Sequence, residues 1–402
     1  MAQPMDGIRV IDFSQVYSGP YATYQLASLG ADVIKVEHPI RGEQGRSLIT
    51  PHPASRDSGM SAMFTAVNAG KRSITLDLKH PDAHEVVARL VKDADVVVQN
   101  FKAGTMESLG FGYEAIKAIN PSIVYCSISG YGQTGPRSSG PTYDPLVQAV
   151  SGMVSVNGFP ENGPTLLGFW VADLTTGMNT AFAITAALLR RERTGSGEYI
   201  DVSMLDTAFS LMSPMIGLHL NYDITCPQTG NGTPAEGGAS MIYPTKLGHI
   251  IVVAVTEPQF KSFMEVIGTP DLADDSRFDT RVKRNLSKEY RDRLVEALST
   301  DTATSWEKRL NDAGVPAGKV QEIHELVKDP QIRHRDMLQT PGKVPGIDKP
   351  LQVANLGFKL GHDGPGVKAV PPMLGAHTDE VLRSIGFKAC EIELMRASKA
   401  IR

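Results

Sequence analysis

An aspartate near the middle of the chain, Asp173, stands where its carboxylate could act as a nucleophile. It comes directly before the small-residue run LTTG (174–177), which is typical of the first turn of a helix. The free N–H groups of a helix N-terminus favour an ionised carboxylate and can stabilise an oxyanion. The same position suits an aspartate that only caps the helix, and capping aspartates are common. The surrounding residues therefore allow covalent chemistry or simple capping, and on their own they favour capping.

The usual signatures of α/β enzymes are missing. The first strand-like run is followed by SQVYSGPYATYQ (14–25) rather than by G-x-G-x-x-G, so a nicotinamide dehydrogenase is disfavoured. No P-loop, H-E-x-x-H or G-x-S-x-G motif occurs. The histidines show no ligand spacing, and Cys126, Cys226 and Cys390 form no C-x-x-C pair. We therefore expect neither a metal site nor a disulfide framework.

Composition indicates a soluble globular protein of more than one domain. The chain has 402 residues, of which 41% are hydrophobic and 21% are charged. Its formal net charge of −4 provides no basic excess for nucleic acid or for an anionic membrane. Neither a signal-peptide core nor an apolar run of membrane-spanning length is found, so we expect a cytoplasmic protein with reduced thiols.

The first half of the chain alternates strand-like with helix-like segments. Short apolar runs predict strands at 7–14, 31–37, 72–78, 95–101 and 121–132. Helical spacing predicts helices at 21–30, 80–94, 113–119 and about 173–191. Such alternation is typical of a doubly wound α/β fold with a parallel sheet.

A change in composition marks a second domain. The stretch 223–240 is polar and glycine-rich, and a strand pair is predicted after it at 241–256. Helices are predicted at 257–267, 287–299, 304–313 and 321–328. We therefore divide the chain into a large domain (1–222), a small α+β domain (223–330) and a C-terminal segment (331–402). That last segment ends in a helix at 377–386 and is expected to return to the large domain.

Seven segments occur in the order and with the spacing of one protein family, and this resemblance covers nearly the whole chain. They are 7–39, 68–81, 94–114, 127–136, 140–153, 168–206, which contains GFWVADLTTGM, and 371–387. Together they resemble the class III CoA-transferases, which include formyl-CoA:oxalate and carnitine CoA-transferases. The 2-methylacyl-CoA racemases form a branch of the same family.

This resemblance implies a fold, an activity and a nucleophile. The large domain would be Rossmann-like and built from both ends of the chain, and two subunits would interlock as a homodimer. Asp173 matches the family's nucleophile, which accepts an acyl group from CoA and then carries CoA as an aspartyl thioester. An acyl-CoA and a small carboxylic acid would be the substrates, with no tightly bound cofactor.

The pair Tyr143-Asp144 separates the two branches of the family. Racemases have His-Asp here, and that histidine is one of their two bases. The pKa of tyrosine is ordinarily about 10, so Tyr143 is a poor base for a proton next to a thioester. We therefore favour CoA transfer over racemisation or epimerisation. A non-catalytic acyl-CoA-binding protein is the remaining alternative, and the retained Asp173 argues against it.

The resemblance also places CoA and substrate contacts. The positions implied are Gln15, Tyr17, His38, Lys79, Asn100, Phe101, Tyr143, Asp144 and Met204, together with Gly237 and Gly238 of a glycine-rich loop. His38 stands where many relatives have arginine, and Ser108 where some do. The residues that could replace this positive charge are Arg46, Lys71, Arg72 and Lys102.

Overall fold

A computed structural model describes residues 3–232, 240–280, 283–284 and 287–402. The chain divides into two compact units. Unit 1 contains Met1–Ser151, Phe169–Leu211 and Pro330–Arg402, and unit 2 contains Gly152–Gly168 and Met212–Asp329. None of the helices in the described ranges combines the length and apolarity that crossing a bilayer requires.

Unit 1 is built on a parallel sheet. Its strands are β1 (Arg9–Asp12), β2 (Asp32–Glu37), β3 (Arg72–Thr75), β4 (Val96–Gln99), β5 (Val124–Ser129) and β6 (Glu198–Ser203). They lie in the order β3-β2-β1-β4-β5-β6, and every neighbouring pair is parallel. The predicted α/β fold with a parallel sheet is therefore confirmed. The direction of winding reverses between β1 and β4, and ligands of such sheets bind outside the carboxyl ends of the strands at that point.

Helices cover both faces of this sheet because its strands are apolar on both sides. One face, which includes Ile11 and Val97, packs against Ala83–Lys92, Tyr113–Ile119, Thr378–Ser384 and Ala389–Ala397. The other face, which includes Val10 and Val96, packs against Ser18–Ser28 (α1) and Val171–Thr194 (α3). A shorter helix, Asp144–Val150 (α2), packs against α3.

The remaining elements of unit 1 are short. Its other helices are Pro53–Asp57, Ala62–Asn68, Thr105–Ser108, Met204–Leu211 and Pro330–His334, with a 3₁₀ turn at Gln44–Ser47. Leu338–Gly342 and Leu351–Ala354 form an antiparallel hairpin. The sequence did not predict this hairpin or the last helix, Ala389–Ala397. That helix buries only Ile392 and Met395, so its apolar pattern is sparse.

Unit 2 combines a small antiparallel sheet with helices. The sheet consists of Ser240–Pro244, His249–Val253 and Ala317–Lys319. Its helices are Met153–Val156, Ser213–Tyr222, Glu257–Val266, Asp271–Asp274, Lys288–Leu298, Ala303–Asp312 and Ile323–Leu326, with 3₁₀ turns at Pro160–Asn162 and Ser276–Phe278. Trp306 is the largest side chain in its core, and the indole N–H donates to the carbonyl of Leu298 at 2.8 Å.

A buried group of charges lies beneath the end of β1. The Lys71 ammonium contacts Asp12 Oδ2 at 3.1 Å and also donates to Asn68 Oδ1 at 2.8 Å. Lys35 approaches the same Asp12 oxygen at 3.9 Å, and all three charged side chains are fully buried. Burial lowers the pKa of Lys71 to about 8, although Asp12 opposes that shift. Removing one member would leave a buried charge uncompensated.

Replacing Lys71 with methionine should therefore destabilise the protein by about 3–5 kcal/mol. Unfolding in urea, followed by circular dichroism, measures the effect. Lys79→Met is the matched control because Lys79 is exposed and has no ion pair in the described part of the chain. Equal free energies of unfolding for the two variants would contradict the importance of the buried group.

Candidate active site

Two loops meet where the winding of the sheet reverses. The backbone N–H of Gln15, after β1, donates to Asn100 Oδ1 at 2.8 Å, and Asn100 Nδ2, after β4, donates to the Gln15 carbonyl at 2.7 Å. One amide side chain thus satisfies both backbone groups of Gln15. This pair joins the carboxyl ends of the two central strands.

The loop after β1 is held in a sparsely populated conformation. Val16 has φ of 67°, which is rare for a β-branched residue, and its N–H donates to Glu43 Oε2 at 2.9 Å. Gly19 makes the next turn possible, because a Cβ there would lie 2.3 Å from the Cβ of Ser14. The start of α1 is therefore fixed tightly against the sheet.

Asp173 lies in the first turn of α3, and the cap position belongs to Trp170. The prediction that Asp173 precedes the helix is wrong by one turn, and the capping interpretation is wrong with it. The Asp173 carboxyl group instead lies beside Ser18, whose hydroxyl and backbone N–H favour its ionised form. Since Ser18 is the first residue of α1, the positive end of that helix points at Asp173.

Asp144 stabilises the first turn of α3. Its Oδ2 accepts the backbone N–H of Asp173 at 3.0 Å, and its Oδ1 accepts from Gln148 Nε2 at 2.6 Å. The Asp144 side chain is 2% exposed, whereas its neighbour Tyr143 is 64% exposed. The prediction that Asp144 contacts the substrate differs from its observed position, because its side chain is buried behind Asp173 and is not among the residues that line the cavity of Asp173.

The electrostatic environment of Asp173 differs from the expectation that a helix N-terminus keeps it ionised. Burial, followed by the nearby Asp144 charge, raises the pKa of Asp173 to about 7, while the hydroxyl and N–H of Ser18 oppose the rise. A carboxylate with its pKa near neutrality is a better nucleophile when ionised than one at its ordinary pKa, and it alternates readily between its two forms.

Gly177 permits the contact between α1 and α3. It lies one turn after Asp173 on the same face of α3. A Cβ at Gly177 would lie 2.7 Å from the carbonyl oxygen of Ser18 and 2.9 Å from the Tyr21 ring. Neither Ser18 nor Gly177 belongs to a motif that predicts a functional role from the sequence. A glycine within a helical pattern was the only available signal of a close approach.

Most of the predicted contact residues line one cavity of about 320 Å³. They are Gln15, Tyr17, Asn100, Phe101, Tyr143, Asp173 and Met204. His38 and Lys79 line an adjoining cavity of about 590 Å³, which shares Gln15, Gln44 and Phe101 with the first. Gly237 and Gly238 lie outside the described residues.

The cations proposed to replace the missing arginines fall into two groups. Arg46 pairs with Glu37, Lys71 with Asp12 and Arg72 with Asp32, at 2.6, 3.1 and 2.6 Å. Their assignment as binders of an external anion is therefore wrong, because protein carboxylates already hold them. Lys102 lines the first cavity, while Arg41 and Lys79 line the second. Within residues 3–232, no carboxylate forms an ion pair with Lys102, Arg41 or Lys79.

No group of three or more His, Cys, Asp or Glu side chains with a metal-binding arrangement occurs among the described residues. The charged residues that line the two cavities include Asp173 and Lys102 in the first and Arg41 and Lys79 in the second.

Replacing Asp144 with asparagine should lower the pKa of Asp173, because a like charge that disfavours its ionisation is removed. An asparagine oxygen can still accept the N–H of Asp173. Carbon-13 NMR titration of the aspartate carboxyl groups should show an inflection near pH 7 for Asp173 in the wild-type protein and at a lower pH in the variant. Asp93→Asn, at an exposed helix end, is the control. An unchanged Asp173 titration in Asp144→Asn would contradict this account.

Comparison with known proteins identifies the family. Residues 5–378 match CoA-transferase family III. A succinate–glutarate CoA-transferase of Agrobacterium fabrum is 36% identical, covering 95% of this chain and 96% of its own. An acetyl-CoA:oxalate CoA-transferase of Acetobacter aceti is also 36% identical, covering 90% and 92%. The crystal structure of a CAIB/BAIF family protein from Brucella suis has a TM-score of 0.87 at 30% identity, covering 96% and 100%. The resemblance seen in the sequence is thus confirmed, and the chain belongs to CoA-transferase family III.

Proposed function

We propose that this protein transfers CoA from an acyl-CoA to a free carboxylic acid, with Asp173 as the covalent nucleophile. The observation that carries this proposal is the Asp173 carboxyl group at the N-terminus of α1, in a cavity that adjoins a second, cation-lined one. Relatives whose names specify CoA transfer to glutarate and oxalate support it. Residues beyond Asp173, such as Gln15, Tyr17 and Asn100, serve as substrate contacts.

The first half-reaction moves CoA onto the protein. An ionised Asp173 oxygen attacks the thioester carbonyl, a C–O bond forms, the C–S bond breaks, and CoA thiolate leaves a mixed anhydride. The thiolate then attacks the Asp173 carbonyl carbon and releases the donor acid as a carboxylate. The aspartyl-CoA thioester that remains conserves the energy of the original thioester bond.

The second half-reaction repeats these steps in reverse. The carboxylate of the incoming acid attacks the aspartyl thioester, which gives a new mixed anhydride and CoA thiolate. The thiolate attacks the carbonyl carbon of the new acyl group, and Asp173 leaves as a carboxylate. Every step exchanges one acyl bond for another, so no water, metal or redox partner is consumed.

The donors of α1 suit both states of Asp173. When Asp173 is ionised, the Ser18 N–H and hydroxyl stabilise its charge. When Asp173 is acylated, the same donors face the carbonyl oxygen on which negative charge develops during thiolate attack. Preorganised donors of this kind are typical of oxyanion holes.

The two adjoining cavities provide a path for CoA. Arg41 and Lys79 line the larger one together with His38, and these two cations are suited to the phosphate end, since no carboxylate of the described residues pairs with them. Phe101 and Gln15 line both cavities and would contact the pantetheine arm. The thiol end would then reach Asp173.

We also propose the interlocked homodimer and the Rossmann-like large domain that the resemblance implies. The strand order β3-β2-β1-β4-β5-β6 supports the Rossmann-like domain. The homodimer is supported by Met178, Phe182 and Leu189, which form an apolar stripe on α3 and are 54%, 73% and 55% exposed. A stripe of this kind on a single chain marks a protein interface.

A cytoplasmic location is proposed as well. Cys126, Cys226 and Cys390 are unpaired. Free thiols at these positions are typical of a reducing compartment.

Asp173→Ala should abolish CoA exchange while leaving CoA binding largely intact, because only the nucleophile is lost. The assay mixes acetyl-CoA or succinyl-CoA with a panel of acids and detects new thioesters by mass spectrometry. In the wild-type protein, a CoA adduct should also be found on the peptide that contains Asp173.

Asp93→Asn is the control, since Asp93 is exposed and lines none of the cavities described above. Full turnover by Asp173→Ala would contradict the proposed mechanism. Incorporation of deuterium next to the thioester from deuterated water, without CoA exchange, would instead support racemisation.

Phe182→Glu should weaken self-association, because it places a charge in the apolar stripe of α3. Analytical ultracentrifugation should find a dimer for the wild-type protein and a larger monomer fraction for the variant. The matched control is Leu394→Glu, on the last helix, where leucine is 70% exposed. A wild-type protein that sediments as a monomer would refute the homodimer.

A further inference from the structure

A third cavity of unit 1 lies beside Tyr17. It has a volume of about 840 Å³, and Tyr17 lines both this cavity and the one that contains Asp173. Leu174, the residue after Asp173, also lines it. The Tyr17 ring stacks 6.4 Å from that of Tyr21, which is a further wall residue. This space, which we call the acyl cavity, therefore borders the nucleophile but is separate from the proposed CoA path.

The walls of the acyl cavity are mainly apolar. Its apolar lining residues include Met60, Ala62, Ala66, Val67, Ile347 and Val353. Its charged lining residues are Asp348 and Lys349, which are exposed, adjacent and opposite in sign. The walls thus favour burial of hydrocarbon and provide no net positive charge for a second carboxylate.

The chemistry requires space on this side of Asp173. A thioester carbonyl carbon carries CoA on one side and the rest of the acyl group on the other. If CoA occupies the cavities of Lys102 and Lys79, the acyl group must extend away from them. The acyl cavity shares Tyr17 with the site and includes Leu174, the neighbour of Asp173.

The size of the acyl cavity indicates the size of the substrate. Pockets of about 300–1,000 Å³ hold drug-sized ligands. The dicarboxylates in the names of the relatives, glutarate and oxalate, are much smaller than that. A substrate that fills the space would bury several methylene groups or a ring against the aliphatic walls.

We propose that this protein prefers monocarboxylic acids with an extended apolar body over short dicarboxylic acids, and that the acyl cavity holds that body. This inference rests on the proposed CoA-transferase function and narrows its substrate class. Ala62 and Ala66, on one helix facing the cavity, would set the space available to the acid.

The test is a competition among acids in one reaction. Linear saturated monocarboxylic acids from acetate to decanoate, together with succinate and glutarate, are mixed with the protein and acetyl-CoA or succinyl-CoA. New thioesters are then quantified by mass spectrometry. Relative kcat/KM should rise about fourfold for each methylene that becomes buried, until the cavity is full.

Filling the cavity should reverse this preference. Ala66→Phe should lower the ratio of octanoate to acetate transfer by about tenfold or more, since the ring occupies the space of the chain. Ala62→Phe is a second variant in case the first does not fold, as checked by thermal melting. Ala118→Phe is the matched control, because Ala118 is exposed on another helix and lines none of these cavities.

The possible outcomes distinguish failure of the inferred substrate preference from failure of the proposed CoA-transferase function. Efficient transfer to succinate and glutarate, with no gain from longer monocarboxylates, would overturn the inference and leave the CoA-transferase function intact. An unchanged octanoate-to-acetate ratio in folded Ala66→Phe and Ala62→Phe would also overturn it. Absence of exchange with every acid and both donors would refute the proposed function itself.

Discussion

The proposed chemistry depends on the contact between the N-terminus of α1 and the carboxyl group of Asp173. Burial and then the charge of Asp144 raise the pKa of Asp173 to about 7, while the hydroxyl and N–H of Ser18 oppose the rise. Asp144 also accepts the backbone N–H of Asp173 and so fixes the start of α3. Gly177 makes the arrangement possible, since any side chain there would push α1 away from α3. The proposed nucleophile, the donors beside it and the neighbouring charge thus come from three helices, α3, α1 and α2.

The buried charges beneath β1 explain how a strained loop keeps its shape. Glu43 accepts the N–H of Val16, and the ammonium of Lys35 lies 3.9 Å from both Glu43 and Asp12. Burial disfavours ionisation of Asp12, yet Lys35 and Lys71 hold its pKa well below the ordinary value. Buried charges of this kind are expensive in desolvation unless each is compensated. Their arrangement here joins the loop that carries Gln15 and Tyr17 to the strands of the sheet.

Sequence patterns predicted the fold better than they predicted the site. The short apolar runs of β1, β2 and β4 are buried on both faces, so the parallel sheet was readable from periodicity and composition. Asp173 was recognised through resemblance, but its exact place in the helix was not, because helix ends depend on contacts with other elements. Ser18 carries no local signal, since its role comes from a helix more than 150 residues away in sequence. Lys71 and Arg46 look like surface cations in the sequence, and only the fold places Asp12 and Glu37 beside them.

In the proposed mechanism, an oxygen of the incoming acid becomes an oxygen of Asp173, and isotopic labelling can test this transfer directly. Breakdown of the second mixed anhydride leaves the bridging oxygen on the aspartate. The protein would therefore be taken through many turnovers with an acid labelled with oxygen-18 in its carboxylate, then digested and weighed by mass spectrometry. We expect the label in the peptide that contains Asp173, and none when the label is supplied in water. An unlabelled Asp173 peptide after many turnovers with labelled acid would contradict the covalent mechanism.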